Sequence, residues 1–356
     1  MTSVLGLARP DLLEFQPYRH ARWAPGLERL HANESPWCMA GDRSPAGLNR
    51  YPEPQPRALI ERLAELYGVP VECVLAGRGS DEAIDLLARG FCRAGLDAVL
   101  TCPPTFGMYK VAARIQGAAV VELPLRRDTG FALDTAAIGQ RVRVSDSRIK
   151  IVFICSPNNP TGNLADPAAV EHLCAALSDY AIVVVDEAYI EFSGAPSLAA
   201  RLPRLPNLVV LRTLSKAFAL AGARCGALLG DPALVEFLRR LLPPYALPSP
   251  SIQAALEVLE PSRSAAVSER ARAIVGERTR VAAAMARLPS VRTVWPSAAN
   301  FLLVDCVDAG RCLRAALAAG LLVRDLRGQP ELSDSLRVTI GTPDQNDRLL
   351  RALEAA

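Results

Sequence analysis

Apolar and polar positions along the chain follow two spacings, which predict helices and strands in alternation. Residues 57–67 are apolar at positions 59, 60, 63, 66 and 67, the spacing of one helix face, and Gly68 follows at the predicted end. Residues 81–92 are also predicted to form a helix. Short runs of consecutive apolar residues predict strands buried on both faces, as in a parallel sheet covered by helices. These runs lie at 71–76, 98–102, 149–155, 181–185 and 208–211.

This alternation predicts an α/β fold, a three-layer sandwich with a mostly parallel central sheet, together with a smaller α+β domain. The large domain is expected over residues 45–242, because a proline-rich stretch at 243–250 interrupts the pattern there. Residues 243–356 are expected to form the C-terminal small domain, and residues 1–44 an N-terminal arm with part of that domain. The small-domain patterns are helical at 262–287, 309–319 and 344–355 and strand-like at 291–295, 301–304 and 336–340.

Composition narrows the class of protein. Of the 356 residues 50% are apolar and 22% charged, which excludes disorder as the main state. The 40 basic and 37 acidic residues nearly balance, so no nucleic-acid partner is expected. The longest charge-free stretch, 241–256, contains four prolines and does not fit a membrane helix. We therefore expect a cytoplasmic protein without a membrane partner, whose nine cysteines are reduced and whose three scattered histidines form no metal site.

Polar residues that could take part in catalysis or ligand binding follow directly after several predicted strands. Asp186 and Tyr189 follow the run at 181–185, Asn159 follows the run at 149–155, and Lys216 follows the run at 208–211. A glycine-rich turn, GRGSDE, follows the run at 71–76 and opens a helix. Since ligands of open α/β sheets bind beyond the carboxyl ends of the strands, these residues are candidates for one site.

The combination of groups matches the chemistry of one cofactor, pyridoxal 5'-phosphate. A lysine in apolar surroundings can attack a carbonyl, so Lys216 would form the Schiff base. Asp186 would keep the ring nitrogen protonated, which makes the ring an electron sink. Tyr189 and Asn159 would donate hydrogen bonds to the phenolic oxygen. The glycine-rich turn at a helix N-terminus, with nearby hydroxyls and an arginine, would bind the phosphate.

The same segments carry a resemblance to a known family. In order, SPNNPTG, DEAY, TLSK and a downstream arginine resemble the fold-type-I pyridoxal-phosphate aminotransferases. More narrowly, PYRHAR, RYPEPQP, PPTFGMY, RTLSKAFALAG and RVTIGT resemble the histidinol-phosphate aminotransferases, and the similarity runs from about residue 18 to residue 342. The resemblance implies the fold of that family and an enzyme that uses pyridoxal phosphate.

The resemblance also implies roles for further cofactor-binding residues. Ser80 and Asp81 match the loop that binds the cofactor phosphate. Phe106 matches an aromatic residue that stacks on the pyridine ring, where the family more often has tyrosine. After the lysine-bearing strand, the residues that match phosphate ligands are Thr213, Ser215 and Arg224.

Substrate binding and assembly follow from the resemblance in the same way. Tyr51 matches a residue that reaches the cofactor and substrate of the neighbouring subunit, so a homodimer is implied. Arg324 and Arg337, with Tyr18, match the groups that hold the anionic end of the substrate. A guanidinium suits both a carboxylate and a phosphate, because each accepts two parallel hydrogen bonds. Two short segments, HANESPW and AGARCG, depart from the family pattern without changing a chemical group.

The implied reaction is transamination between L-glutamate and imidazole acetol phosphate, which gives L-histidinol phosphate and 2-oxoglutarate in histidine biosynthesis. The same chemistry on other substrates stays open, as in an aromatic-amino-acid aminotransferase or a threonine-phosphate decarboxylase, because a few pocket contacts decide specificity. A non-catalytic regulator on this fold is disfavoured, since every chemical group is present. A serine hydrolase is disfavoured by the lack of a GxSxG motif.

The candidate residues also have ordinary structural interpretations. Lys216 taken alone would be a solvated surface lysine, Asp186 a helix N-cap and Asn159 a turn residue. The aromatic and arginine candidates would be packing or surface residues. Their position after the strands, and the motif around them, favour the functional interpretation.

Overall fold

The computed structural model describes residues 4–19, 21–24, 26–45, 47–144 and 148–356. Its helices are α1 Pro10–Leu13, α2 Arg57–Tyr67, α3 Ser80–Phe91, α4 Met108–Gln116, α5 Thr135–Val144, α6 Pro167–Ala176, α7 Pro232–Leu241, α8 Ser249–Val258, α9 Pro261–Met285, α10 Ala309–Ala318 and α11 Pro343–Glu354. Its strands are β1 Val74–Gly77, β2 Asp97–Thr101, β3 Ala119–Glu122, β4 Arg148–Cys155, β5 Ile182–Asp186, β6 Leu208–Thr213, β7 Gly226–Leu229, β8 Val291–Val294, β9 Phe301–Cys306, β10 Arg324–Asp325 and β11 Ser335–Thr339. Short 3-10 helices lie at Val4–Leu7, Val71–Cys73, Arg127–Thr129, Ile190–Phe192, Leu198–Arg204 and Ala221–Ala223.

Strands β1 to β7 form a central sheet in the order β1-β7-β6-β5-β4-β2-β3. The four pairs from β6 across to β3 are parallel. Strand β7 pairs antiparallel with both β1 and β6, so β1 to β6 all run in one direction. The predicted mostly parallel sheet is confirmed.

The central sheet is buried on both faces, which makes the unit a three-layer sandwich. Along β5, Val183 and Val185 join the core cluster that contains Leu59 and Leu63 of α2. The alternate residues Ile182 and Val184 join a second cluster that contains α3 and α7 side chains. Successive strand residues point to opposite faces, so a strand covered on both sides needs the continuous apolar sequence seen here.

Strands β8 to β11 form a second, antiparallel sheet in the order β10-β11-β9-β8. Its apolar side chains pack against α9, α10 and α11 in a separate core cluster. Helix α11 begins with a capping box in which Thr342 and Gln345 satisfy each other's backbone N–H groups. Helix α8, just beyond the proline-rich stretch, packs against α2. The division into domains at residues 44 and 242 stays a prediction.

The structure differs from the predicted elements in several places, and it contains strands β3 and β10 and helices α1 and α4 to α8, which were not predicted. The run at 71–76 is a 3-10 turn followed by the shorter β1, because the Cys73 N–H donates to the Pro70 carbonyl at 3.0 Å. Strand β7 was not predicted, since its sequence GALL has no β-branched residue. At the start of the chain, Val4 and Leu7 are buried and their 3-10 turn packs against α7.

In the described part of the chain, no helix has both the length and the apolar character that a membrane crossing requires. Cys38 is exposed, and the other eight cysteines are buried.

Candidate active site

A cavity of about 120 Å³ at the carboxyl edge of the central sheet collects most of the predicted site residues. Strand β5 ends at Asp186, Asn159 lies four residues beyond β4, and Lys216 lies three residues beyond β6. Because β7 runs in the opposite direction, its start also reaches this edge and brings Arg224 there. The predicted residues that line the cavity are Ser80, Asp81, Phe106, Asn159, Asp186, Tyr189, Thr213, Ser215, Lys216 and Arg224.

Asp186 lies on the floor of this cavity and is only 2% exposed. The Tyr109 hydroxyl donates to its Oδ2 at 2.8 Å, and the Ala188 N–H donates to its Oδ1 at 3.1 Å. Burial raises the pKa of the Asp186 carboxyl to about 6, although these two hydrogen bonds act to lower it. A carboxylate in such a place is stabilised by a positively charged group bound in the cavity.

Lys216 provides the amine of the site. Its Nζ lies 5.6 Å from the centroid of the Tyr189 ring. Burial lowers the pKa of the Lys216 amine, and the positive charges of Arg337 and Arg224 lower it further, while Asp186 opposes them. A larger fraction of the amine is therefore neutral near pH 7, and the neutral form is the nucleophile.

One end of the cavity is formed by the start of α3 and by Arg224. Gly79, with φ of +81°, leads into this helix, whose first backbone N–H groups are free to bind an anion. The Arg224 Nη2 donates to Asp81 Oδ2 at 3.1 Å. A Cβ on Gly79 would lie 3.1 Å from the Arg224 Nη2, so glycine leaves the arginine room at this end.

Two hydroxyl residues complete the same end. Thr213 is the last residue of β6, and its Oγ1 accepts a hydrogen bond from the Ser215 N–H at 3.1 Å. This bond turns the chain sharply after the strand, so Ser215 and Lys216 both lie along the cavity.

Arg337 links the cavity to its mouth. Its Nη1 donates to the Oδ1 of Asn159, which leaves the amide nitrogen of Asn159 as the donor available to a ligand. The Arg337 guanidinium also lies 5.3 Å from the Phe301 ring, whose edge packs against Tyr189 at 5.2 Å between centroids. The arginine is therefore held by an amide and an aromatic face rather than by a carboxylate.

A wider cavity of about 620 Å³ adjoins the first and shares with it Phe106, Asn159, Tyr189 and Lys216. Arg324 and Arg337 both line it, because they are paired neighbours on β10 and β11. The structure thus places the two arginines at the mouth of the site.

Tyr51 and Tyr18 lie outside both cavities. Tyr51 is half exposed and stacks on Tyr245 with 4.4 Å between ring centroids. Tyr18 is 75% exposed. The predicted role of Tyr51 at a neighbouring subunit and that of Tyr18 at the anionic end of the substrate stay predictions. His31 and His172 are also away from the cavities, and His20 lies outside the described residues.

Sequence reasoning gave no role to Tyr109 and none to Asn158 in particular. Tyr109 contacts Asp186, and its only sequence signal is a spacing of three residues from Phe106. Asn158 ties two loops together, since its Nδ2 donates to the Pro104 carbonyl at 2.9 Å and its Oδ1 accepts from Thr105 at 2.8 Å. Its signal was its place in SPNNPTG, where only the neighbouring asparagine was assigned.

Comparison with known proteins identifies the family. Residues 33–353 match the family model described as aminotransferase class I and II. The chain is 48% identical to histidinol-phosphate aminotransferase of Stenotrophomonas maltophilia, over 99% of this chain and 97% of that protein. The chain belongs to the histidinol-phosphate aminotransferases. It is therefore an enzyme of the aminotransferase family, as the sequence motifs predicted.

Two solved structures extend the comparison of this histidinol-phosphate aminotransferase family member to the fold. Histidinol-phosphate aminotransferase from Sinorhizobium meliloti, solved in complex with pyridoxal-5'-phosphate, has a TM-score of 0.77 and 24% identity, covering 86% of this chain and 82% of that one. L-threonine-O-3-phosphate decarboxylase from Porphyromonas gingivalis has a TM-score of 0.74 and 25% identity, covering 86% and 90%. The predicted fold is confirmed by the first of these.

Proposed function

We propose that the enzyme transfers an amino group between L-glutamate and imidazole acetol phosphate, giving L-histidinol phosphate and 2-oxoglutarate. The observation that carries this proposal is the pair of adjoining cavities that together bring the Lys216 amine, the buried Asp186 carboxylate and two arginines to one site. The 48% identical relative, named as a histidinol-phosphate aminotransferase, supports the choice of substrates.

The residues of the cavity fit pyridoxal 5'-phosphate as the cofactor. The buried Asp186 carboxylate suits a protonated ring nitrogen, and Phe106 offers an aromatic face to the ring. Asn159 and Tyr189 would donate to the phenolic oxygen, while Ser80, Thr213, Ser215 and Arg224 would hold the phosphate beside Asp81 at the start of α3. When bound, this group withdraws electrons from the substrate carbon that carries the amino group.

Lys216 is the group in the cavity placed to move the proton of the reaction. Its Nζ would remove the proton from the substrate carbon that carries the amino group and would then act as the acid that returns a proton in the 1,3 shift. The amino group would pass to the cofactor, and water would supply the oxygen of the keto product. The lowered pKa of the Lys216 amine suits this role, because a lower pKa makes the neutral amine, which accepts the proton, more abundant. Asp186 stays fixed below and stabilises positive charge in the cavity.

Arg324 and Arg337 would bind the anionic end of either substrate. The mouth of the site is about 620 Å³, enough for a substrate the size of an amino-acid phosphate ester. Glutamate presents a carboxylate there and histidinol phosphate presents a phosphate, and a guanidinium binds both with two parallel hydrogen bonds. Tyr18 would assist at this end, and Tyr51 would reach across from a second subunit, so the proposal includes a homodimer.

The direct test is a comparison of substrates on wild-type enzyme and on the Lys216→Ala variant. Wild type should form 2-oxoglutarate and histidinol phosphate with the two proposed substrates. Lys216→Ala should lose turnover by several orders of magnitude, because no other amine lines the inner cavity among the described residues. Substantial turnover by this variant would overturn the role of Lys216.

A second candidate is decarboxylation of threonine phosphate, favoured by the structural similarity to the enzyme from P. gingivalis. Transamination and decarboxylation both need the smaller cavity of about 120 Å³ that contains Lys216 and Asp186, and they differ in which bond of the substrate breaks. Carbon dioxide release from L-threonine phosphate, without keto-acid formation, would favour this candidate. Faster transamination of phenylalanine than of histidinol phosphate would instead favour an aromatic-amino-acid aminotransferase.

A further inference from the structure

Tyr109 lies beneath the cavity and contacts its carboxylate directly. The side chain is fully buried, and its hydroxyl donates to Asp186 Oδ2 at 2.8 Å. With the Ala188 N–H on Oδ1, each oxygen of Asp186 already accepts one hydrogen bond from the protein. The carboxylate therefore cannot rotate without losing a bond, and its remaining lone pairs face a defined direction.

The tyrosine ring is itself held in place. It stacks on Phe153 of β4 with 4.7 Å between ring centroids and only 3° between ring planes. Phe106, the residue that would stack on the cofactor, meets the same ring edge-on at 5.5 Å. Tyr109 thus contacts both Phe106, which lines the cavity, and the Asp186 carboxylate at its floor.

Other titratable groups face Asp186 from every element packed around it. Cys155 of β4 is its register partner, and burial raises the pKa of that thiol, so the thiol stays neutral. Asp81 of α3 acts to raise the pKa of Asp186, and Lys216 acts to lower it. Tyr189 stays a neutral phenol because burial raises its pKa. Among these side chains, within the described residues, Tyr109 is the one that donates a hydrogen bond to the carboxylate.

We propose that Tyr109 is a positioning residue, whose hydroxyl keeps Asp186 ionised and aimed at the ring nitrogen of the bound cofactor. The aim at the ring nitrogen rests on the proposed function, whereas the effect on ionisation does not. A neutral Asp186 would no longer stabilise a protonated ring nitrogen, so cofactor binding depends on the tyrosine through the aspartate.

Two opposing influences already act on the ionisation of Asp186. Burial favours protonation of Asp186, and the phenol donor favours the carboxylate. A hydrogen bond to a charged group is strong enough that its loss should move the titration of Asp186 upward by about 1 to 2 pH units. From a pKa of about 6, that change leaves much of Asp186 protonated at neutral pH.

The first experiment uses apoenzyme and follows the protonation of the Asp186 carboxyl group by infrared spectroscopy as pH is varied. Asp186→Asn assigns the carboxyl band. Tyr109→Phe should shift the midpoint of the Asp186 titration upward by about 1 to 2 pH units. Tyr67→Phe is the control, since Tyr67 is also buried and its hydroxyl has no hydrogen-bond partner in the described structure. An unchanged midpoint in Tyr109→Phe overturns the proposal.

The second experiment measures the affinity for pyridoxal phosphate relative to wild type. At pH 7, Tyr109→Phe should bind pyridoxal phosphate about two- to tenfold more weakly, in proportion to the lost ionised fraction of Asp186. Near pH 9 its affinity should return to that of wild type. A loss that persists at high pH would show a merely structural role. Fluorotyrosine at position 109, a stronger donor of nearly the same shape, should shift the infrared midpoint downward. If apoenzyme shifts as expected but no variant binds the cofactor, the proposed function fails and the ionisation result stands.

Discussion

Arg224 is predicted to contribute to cofactor affinity mainly through its contact with the phosphate. In Arg224→Gln the side chain keeps a polar end but loses its charge and its second donor. A hydrogen bond to a charged group contributes about 1.5–3 kcal/mol, so the affinity for pyridoxal phosphate should fall roughly 10- to 150-fold. The value should lie toward the upper end, because Asp81, now without its partner, would repel the phosphate.

Protein stability should change little in the same variant. Arg224 and Asp81 form an ion pair whose side chains are 49% and 43% exposed, and such pairs contribute about 0–1 kcal/mol to the free energy of unfolding. Arg239→Gln is a matched control, since Arg239 is equally exposed and pairs with Glu236 away from the site. That control should leave cofactor affinity unchanged.

The assay titrates apoenzyme with pyridoxal phosphate and, separately, with pyridoxal, which lacks the phosphate. Both ligands can react with Lys216 and give a visible absorption band. Loss of Arg224 also removes one influence that lowers the pKa of Lys216, and this change affects both ligands alike. The ratio of the two affinities therefore isolates the phosphate contact. An equal loss for both ligands, or no loss for either, would refute the assignment.

Three further predictions concern the mouth, the assembly and the packing. Arg337→Lys should raise KM for glutamate and for histidinol phosphate by roughly tenfold or more, and an effect on one substrate alone would contradict a shared anion site. Mixing Tyr51→Ala chains with Lys216→Ala chains, each nearly inactive, should restore about a quarter of wild-type activity through hybrid dimers, and no recovery would contradict a shared site. Gly226→Ala should lower the free energy of unfolding by about 1–3 kcal/mol in denaturant titrations, because its Cβ would lie 2.7 Å from the Arg212 carbonyl oxygen. Gly222→Ala, with open space around it, should not.

Five of the seven strands of the central sheet could be predicted, because each is buried and has a continuous run of apolar residues. Those runs end where polar residues begin, and the carboxyl edge of a parallel sheet brings such ends together. Asp186, Asn159 and Lys216 could be located at one edge for this reason, although they are far apart in the chain. Strands β3 and β7 could not be predicted in this way, since each has only four residues. Strand β3 is a partly exposed edge strand, and β7 lacks β-branched side chains.

Sequence patterns could not predict which side chains of distant elements contact each other. Tyr109 and Asp186 are 77 positions apart. No local spacing in the sequence shows that this residue of α4 contacts the last residue of β5. The contact between Arg337 and Asn159 joins the two sheets across 178 positions. The predicted role of Tyr51 depends on a partner subunit, so neither the sequence pattern of one chain nor the geometry of one subunit decides it.

The most direct test of the central claim is a single half-reaction followed by absorbance. Enzyme loaded with pyridoxal phosphate is mixed with L-histidinol phosphate in the absence of any keto acid. The visible band should disappear rapidly as the cofactor takes up the amino group, with one keto product formed per site. A visible band that persists would contradict the substrate assignment, and the absence of any visible band on loading would contradict the role of Lys216.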